Sequence, residues 1–531
     1  MSDQQRMLLA AVLMAVVLFL SWTLTNRGNR GETAGQGPPA ERQDTAGEAV
    51  QPPDNGAQEV EPGTDGPQGQ EELPEGAGEG AVAVRIVDPG SGEVLVSGEI
   101  SLLGGGLTVW ELEGYRNLDG GDGERVDLGR VGLLAASDEQ GLLSFATDAA
   151  DTVVVSQSQQ TVRLETAGGW REYTFTPGSY AFDVRQDGIE SGVLIGPGAI
   201  PVTEEGVKPG DYFKAVWQRA GDMEDEKSQD LDETIEIDEV EWAGVRSKYF
   251  TVLLVNTEEE EDVVYRPGGE GSPGMGIMVE RVRVYAGPVD YKRLQRLGIG
   301  AERMVDFGWP IIRWIGRLIF WFISVPLGFI GNWGVRIILL TMVLKTMLWP
   351  LTTKSFTSMQ KMKEVQPRLK ELQEKYKTDP KRQQMEMQKL YKEEGVNPLG
   401  GCLPMLLQMP FFFAMYRVLS NLVELRGADF ILWIDDLSKP EILLPFGNSI
   451  LGLQGIGLLA VLMGVSMFIQ QKMSVSDPSQ KTMVYVLPIV MTWLFMRFPA
   501  GLTLYWFVNN LLTIGQQELI KKRLEAGQGS G

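Results

Sequence analysis

There is no histidine anywhere in the 531 residues, and Cys402 is the only cysteine. The first absence removes imidazole bases, Ser-His and Cys-His dyads and His-ligated metal sites together. The second excludes an intrachain disulfide and any cysteine-cluster metal centre. No Gly-rich phosphate loop ending in Lys-Ser or Lys-Thr occurs, so nothing points to nucleotide use. Positive charge is also scarce. With 48 Lys and Arg against 70 Asp and Glu the net charge is -22, which argues against DNA as a partner. A chain so poor in the side chains of acid-base and metal chemistry is expected to work without a cofactor, a metal or a bond-making step.

What is present is unevenly spread. Residues 7–25 form an uncharged apolar run, longer than the usual signal-peptide core and with no clear small-x-small cleavage site after it. Residues 1–26 are therefore expected to be an N-terminal transmembrane anchor. Residues 27–80 are Gly, Pro, Gln and acids with almost no large apolar group, the composition of a flexible linker. Residues 81–300 carry short β-rich runs punctuated by Gly, Pro and Asp: Val82–Val87, Thr152–Val155, Glu172–Phe175, Tyr180–Val184, Lys248–Val255 and Met278–Tyr285. They predict a large antiparallel β-sandwich. The acid-dense run Asp222–Asp238 reads as a solvated loop whose spacing matches no calcium loop.

Residues 301–331 contain an aromatic apolar stretch with Arg313 and Arg317 one turn apart, read as an amphipathic helix over 309–324 lying in the membrane interface. Residues 332–520 hold the long apolar runs. Spans are expected around Lys345 and at 402–419, 450–471, 482–497 and 501–517, giving an α-helical bundle of five core transmembrane helices plus the anchor. Between the first two lies the basic loop 354–397. There Met362, Val365, Leu369, Leu372 and Tyr376 repeat at alternating steps of three and four, a coiled-coil seam, and Thr378-Asp379-Pro380 breaks it into a helical hairpin. Residues 521–531 form a short tail. The positive-inside rule puts hairpin 354–397 in the cytoplasm, with both termini, and residues 27–331 on the outer side.

Lys345 is the residue that demands an explanation. It lies mid-way in an apolar run, where a lysine costs roughly 2.5–3.5 kcal/mol on insertion scales. Lys354 already marks the membrane edge, so snorkelling is disfavoured. Thr341 shares its helical face. The last span repeats the polar pattern with Thr503, Trp506, Asn510 and Thr513 at helical steps and Tyr505 and Asn509 beside them. With Gln408 and the apolar Phe412 these residues make a candidate hydrophilic groove for a substrate. None of the spans offers a carboxylate at mid-depth, so a visiting anion is the expected partner. Two other readings use the same residues: a transporter or lipid flippase holding an anionic group at Lys345, and an intramembrane Ser/Lys hydrolase using Ser466 and Lys472.

The stretches Asn397–Pro404 with Gln408-Met409-Pro410, Val423–Arg426, Leu432–Ser438 and Phe498–Tyr505 resemble the YidC/Oxa/Alb family of membrane protein insertases, densely from about residue 305 to 525. Trp242–Val245 with Lys248-Tyr249-Phe250 resembles, more loosely, the periplasmic domain of the Gram-negative form. The resemblance implies an insertase and chaperone of the bacterial inner membrane, with a groove open to the cytoplasm and to lipid. It implies nascent membrane proteins and membrane lipids as partners, and action alone or beside the Sec translocon. Two departures stand out. The family's groove residue is usually arginine where Lys345 stands, which keeps the charge and loses the planar fork. The tail is short where some relatives carry long basic ones, so ribosome contact would fall to hairpin 354–397.

Overall fold

The computed structural model describes residues 80–528, apart from 117–123, 130–132, 139–140, 190–192, 197–199, 201–212, 257–260, 269–270, 396–402, 451–452 and 475–480. The expected anchor 1–26, nearly all of the linker 27–80, the Asn397–Cys402 motif and the end of the tail lie outside the described residues.

The amino-terminal half is a sandwich of strands. One sheet has eight strands, in edge-to-edge order Asp222–Lys227, Lys214–Arg219, Trp242–Arg246, Phe250–Asn256, Arg281–Pro288, Ala181–Asp187, Gly169–Phe175 and Gln160–Thr166. Opposite it lie a five-stranded and a four-stranded sheet, joined through bridges of Leu133 to Leu107 and Ile195. The alternation that predicted strands is visible in the burial: Val162 and Leu164 point inward from Gln160–Thr166, and Tyr173 and Phe175 from the next strand. Between the sheets Trp110 packs on Phe182, ring centroids 4.9 Å apart, and donates its indole N–H to the Ala286 carbonyl at 2.9 Å. Burying side chains of this size stabilises by about 1.5–3 kcal/mol each. Arg171 is fully buried among them and satisfied by Leu134 O and Gln186 Oε1.

Two expectations change here. Pairing is antiparallel except between Ala81–Val87 and Thr152–Val155, which run parallel. The acid-dense run is not a loop: Asp222–Lys227 and Ile235–Val240 are strands. Both stand at sheet edges, where acids keep one face in water and strand pairing still satisfies the backbone.

Trp242–Arg246 ties the sandwich to the connector that leads into the helices. The Trp242 indole donates to Ile299 O at 3.0 Å and Arg246 Nη1 to Met304 O at 2.8 Å. These bonds clamp the segment just after helix α1 (Tyr291–Arg296). Next comes α2 (Pro310–Ser324), opened by a proline whose missing N–H is no loss at a first helical position. It buries Ile312, Ile315, Ile319 and Ile323 against the protein and exposes Arg313, Trp314, Arg317, Leu318 and Trp321. The arginines and tryptophans thus share the outward face rather than opposing one another.

Helix α3 (Trp333–Lys375) is 43 residues long; it carries Lys345 and is also the first arm of the hairpin. It passes through Pro350 and Pro367 unbroken. Thr hydroxyls help a helix tolerate proline, and those of Thr346 and Thr352 bond back to Met342 O and Leu348 O. The second arm is α4 (Pro380–Glu393). Val365, Leu369, Met387 and Leu390 form a separate small core between the arms. The bundle continues with α5 (Leu403–Asn421), α6 (Leu458–Ser474), α7 (Lys481–Phe495) and α8 (Ala500–Gln528).

The expected span 450–471 starts later than predicted. Leu444–Ile450 and Leu453–Ile456 pair as a strand hairpin, and Glu441 then caps α6 by accepting from the amides of Leu458 and Leu459 at 2.9 and 2.8 Å. A carboxylate on the exposed amides of a helix start is favourable, so the cap sets the boundary where hydropathy alone did not. Among the described residues one helix, α3, is long and apolar enough to cross a membrane, and Leu458–Ser474 and Val484–Phe495 are shorter apolar helices. Only 28% of the most apolar window of α3 is buried; Met342, Val343 and Met347 stand exposed on it.

Candidate functional site

Helix α8 is the post on which the bundle is assembled. Both α3 and α6 pack along its length, while α5 touches α3 and α8 only sparsely. Where α3, α5 and α8 come together there is a small cavity of about 20 Å³ lined by Thr341, Leu344, Lys345, Leu348, Thr352, Gln408, Phe411, Tyr505 and Asn509. A void of roughly 10–15 Å³ suffices for one water, so the cavity holds about one.

Five of the sequence-predicted site residues meet here. Thr341 is buried and donates to Ile337 O at 2.7 Å, which leaves its oxygen able to accept. Tyr505, also buried, turns its hydroxyl to Gln408. Asn509 is 5% exposed. Lys345 is half-buried and has no hydrogen-bond or ion-pair partner among the described residues. Polar walls in an otherwise apolar bundle can hold a hydrophilic group at depth, and an ammonium without a counter-ion gives that group a preferred sign.

The other five sit elsewhere. Phe412 is buried edge-on to Trp506, centroids 4.8 Å apart, and both rings meet Phe495. Thr503 bonds back to Pro499 O at 3.3 Å and Thr513 to Asn509 O at 2.6 Å. Asn510 turns away to α6, where its amide donates to Ser466 Oγ at 3.1 Å. The same contact answers the hydrolase reading: Ser466 is 3% exposed and its hydroxyl donates to Met463 O at 2.6 Å. Among the described residues no group of acids or cysteines could hold a metal.

Thr352 and Phe411 are cavity residues that the sequence-based selection left out. Thr352 had a signal, since it falls seven residues after Lys345 on one face of a helix. Phe411 had one only as part of the apolar face it shares with Phe412, along which a substrate helix could pass.

Residues 326–527 match the family described as 60Kd inner membrane protein, and residues 93–322 the one described as YidC periplasmic domain. The chain is 36% identical over 390 residues to the membrane protein insertase YidC of Wolinella succinogenes, covering 71% of this chain and 68% of that protein. It is 34% identical over 523 residues to the membrane protein insertase YidC of Pelobacter propionicus, covering 90% and 93%. Among solved structures it is similar, at 19% identity and a TM-score of 0.38, to the "Active YidC insertase crystal structure with the first transmembrane domain resolved", covering 79% of this chain and 90% of that one. So low a score leaves the sequence matches as the basis of the relationship.

Proposed function

Because the chain belongs to the YidC family of membrane protein insertases, we propose that it inserts integral membrane proteins into the inner membrane and assists their folding by drawing a hydrophilic segment partway into the bilayer at Lys345. The observation that carries the mechanism is the Lys345 ammonium, without a partner among the described residues, in a cavity walled by Thr341, Gln408, Tyr505 and Asn509. A carboxylate brought to 4 Å of it gains roughly 4 kcal/mol at an effective dielectric of 20. The cavity as it stands takes about one water, so a segment enters by parting α5 from α3 and α8, where packing is sparse. The apolar faces around Phe411, Phe412, Leu504 and Phe507 then let the substrate's helix pass into lipid. No bond is made or broken.

In this reading hairpin 354–397 and both termini face the cytoplasm, and the β-sandwich lies in the periplasm, as the charge distribution favours. The anchor and α3, α5, α6, α7 and α8 span the bilayer. The partners are nascent membrane proteins, the Sec translocon, lipids and, through the hairpin, the ribosome. The relatives' names favour insertion over anion transport or lipid flipping.

The test is insertion of a small membrane protein with an acidic tail into vesicles holding Lys345→Ala, Lys345→Arg or Lys345→Glu. Arginine is expected to keep insertion and glutamate to lower it by about tenfold, the equivalent of ~1.4 kcal/mol. Undiminished insertion by the glutamate form removes the charge-based mechanism.

A further inference from the structure

Three lysines far apart in the chain meet at the end of the bundle remote from the β-sandwich. Lys363 of α3, Lys472 of α6 and Lys521 of α8 line one cavity of about 200 Å³, and among the described residues Glu518 is the one carboxylate in its wall. At ~30 Å³ per liquid water that is room for several waters or one small polar headgroup. Lys363 directs one proton of its ammonium to Met473 O at 2.6 Å, and an ammonium carries three. Burial and, after it, the nearby Lys521 hold the Lys363 ammonium below the usual lysine range. An anion placed beside crowded like charges is favourable.

The level of the cavity identifies the anion. At 1.5 Å per residue, α6 rises about 21 Å from Leu458 to Lys472 and α8 about 32 Å from Ala500 to Lys521. These bracket the ~30 Å thickness of a bilayer's hydrocarbon core. Lys472 and Lys521 therefore stand near the depth of the lipid phosphates, on the surface opposite the β-sandwich, and Lys363 joins them from the hairpin side. Phe356 and Met359 add an apolar side to the same cavity, as a ligand with both a charged head and oily chains requires.

We propose that this cavity binds the phosphate of an anionic phospholipid, with the headgroup held between Lys363, Lys472 and Lys521 and the chains leaving along Phe356 and Met359. The proposal rests on the spanning arrangement proposed above. Basic recesses between spanning helices suit such headgroups, and each lysine near the surface contributes about 1 kcal/mol. A bound lipid would cross-brace α3, α6 and α8, two of which, α3 and α8, also wall the Lys345 cavity.

The test uses the full chain in nanodiscs with photoactivatable phosphatidylglycerol or phosphatidylcholine, and the labelled residues are mapped by mass spectrometry. Preferential labelling by phosphatidylglycerol is expected at 356–363 and 517–521. Lys363→Gln and Lys472→Gln should each lower it about fivefold, while Lys363→Arg and Lys472→Arg should keep it and show that the fold survives. Equal labelling by the two lipids, or labelling indifferent to the glutamine variants, overturns the site. Displacement by excess inorganic phosphate would make it a free-anion site, and displacement by an RNA oligonucleotide a nucleic-acid contact; either overturns the lipid assignment. Failure of the spanning arrangement looks different: neither lipid would label Met342, Val343 or Met347.

Discussion

Gln516 on α8 donates through Nε2 to the Thr352 hydroxyl on α3 at 2.7 Å, and Thr352 is itself a wall of the Lys345 cavity. Gln516 is 1% exposed and also approaches Trp349 O and Thr353 Oγ1, both at 3.4 Å. One amide thus ties α8 to α3 behind a residue of the cavity wall. Interhelical hydrogen bonds of this kind are worth about 0.6 kcal/mol on average and up to ~1.7 in a membrane. Gln516→Leu, Thr352→Val and the pair should give a double-mutant cycle in detergent unfolding with a coupling near the upper figure. Additive losses would show that the two side chains do not act together.

Gly464 on α6 meets α7 with no room to spare. A Cβ there would overlap Thr492 Oγ1 and fall 3.2 Å from Thr492 Cβ, and Thr492 is held by its own bond to Pro488 O at 2.7 Å. Gly464→Ala should cost about 1–3 kcal/mol by overpacking, read as a lower unfolding midpoint. Thr492→Ala in the same chain should restore much of it. An alanine at 464 that leaves the midpoint unmoved would mean that α6 and α7 are not held this closely.

The junction between the β-sandwich and the bundle should depend on pH. Desolvation first, and then the neighbouring Asp290 carboxylate, push the Glu424 carboxyl up to about 7 from an ordinary 4.5. Arg293, Arg336 and the Tyr115 hydroxyl also face it. A carboxyl whose folded value is raised favours the folded state at low pH, where it is protonated in both states, and that advantage is lost as pH rises from about 4.5 through about 7. Hydrogen exchange in 290–297 and 422–426 should therefore speed up across that window beyond its intrinsic rise. Glu424→Gln should flatten the response. An equally steep response in the glutamine variant would place its origin elsewhere.

The hairpin has its own core and should melt on its own. Leu369 is 9% exposed, packed with Val365, Met387 and Leu390. Leu369→Ala should remove about 2–5 kcal/mol from this small unit, which is enough to raise exchange in α4 to the rate of open chain. Exchange in α8 should stay as it was. Loosening of both together would join the hairpin to the bundle core.

Much of this architecture was readable beforehand where a local pattern has only one physical solution. The seam Met362, Val365, Leu369, Leu372 and Tyr376 repeats at steps that only a helix can bring to one side; the first four pack against α4, while Tyr376, at the helix end, lies outside that core under Arg382. The run predicted as a helix over 309–324 is a helix over Pro310–Ser324, because Trp309-Pro310 starts it and apolar spacing sustains it. The edge strands were not readable. Asp222–Lys227 and Ile235–Val240 have the composition of a loop, and only pairing with Lys214–Arg219 and Glu261–Arg266 makes strands of them.

The polar stripe on α8 shows the same division. Helical periodicity put Thr503, Trp506, Asn510 and Thr513 on a common side, yet Tyr505 and Asn509, one step round, are the residues that reach Lys345, while Asn510 serves α6. The amino-acid order alone decided that imidazole and disulfide chemistry is absent and that the lysine at 345 has no acid within its own or neighbouring runs to neutralise it. Those are properties of composition and spacing, which folding cannot alter. Packing alone decided how each helix is turned against the next, and hence which polar groups share a cavity and that Lys363, Lys472 and Lys521 converge. A helix's period says which residues lie on one side of it. The neighbour that side faces depends on contacts between segments far apart in the chain, such as Asn510 with Ser466 and Gln516 with Thr352.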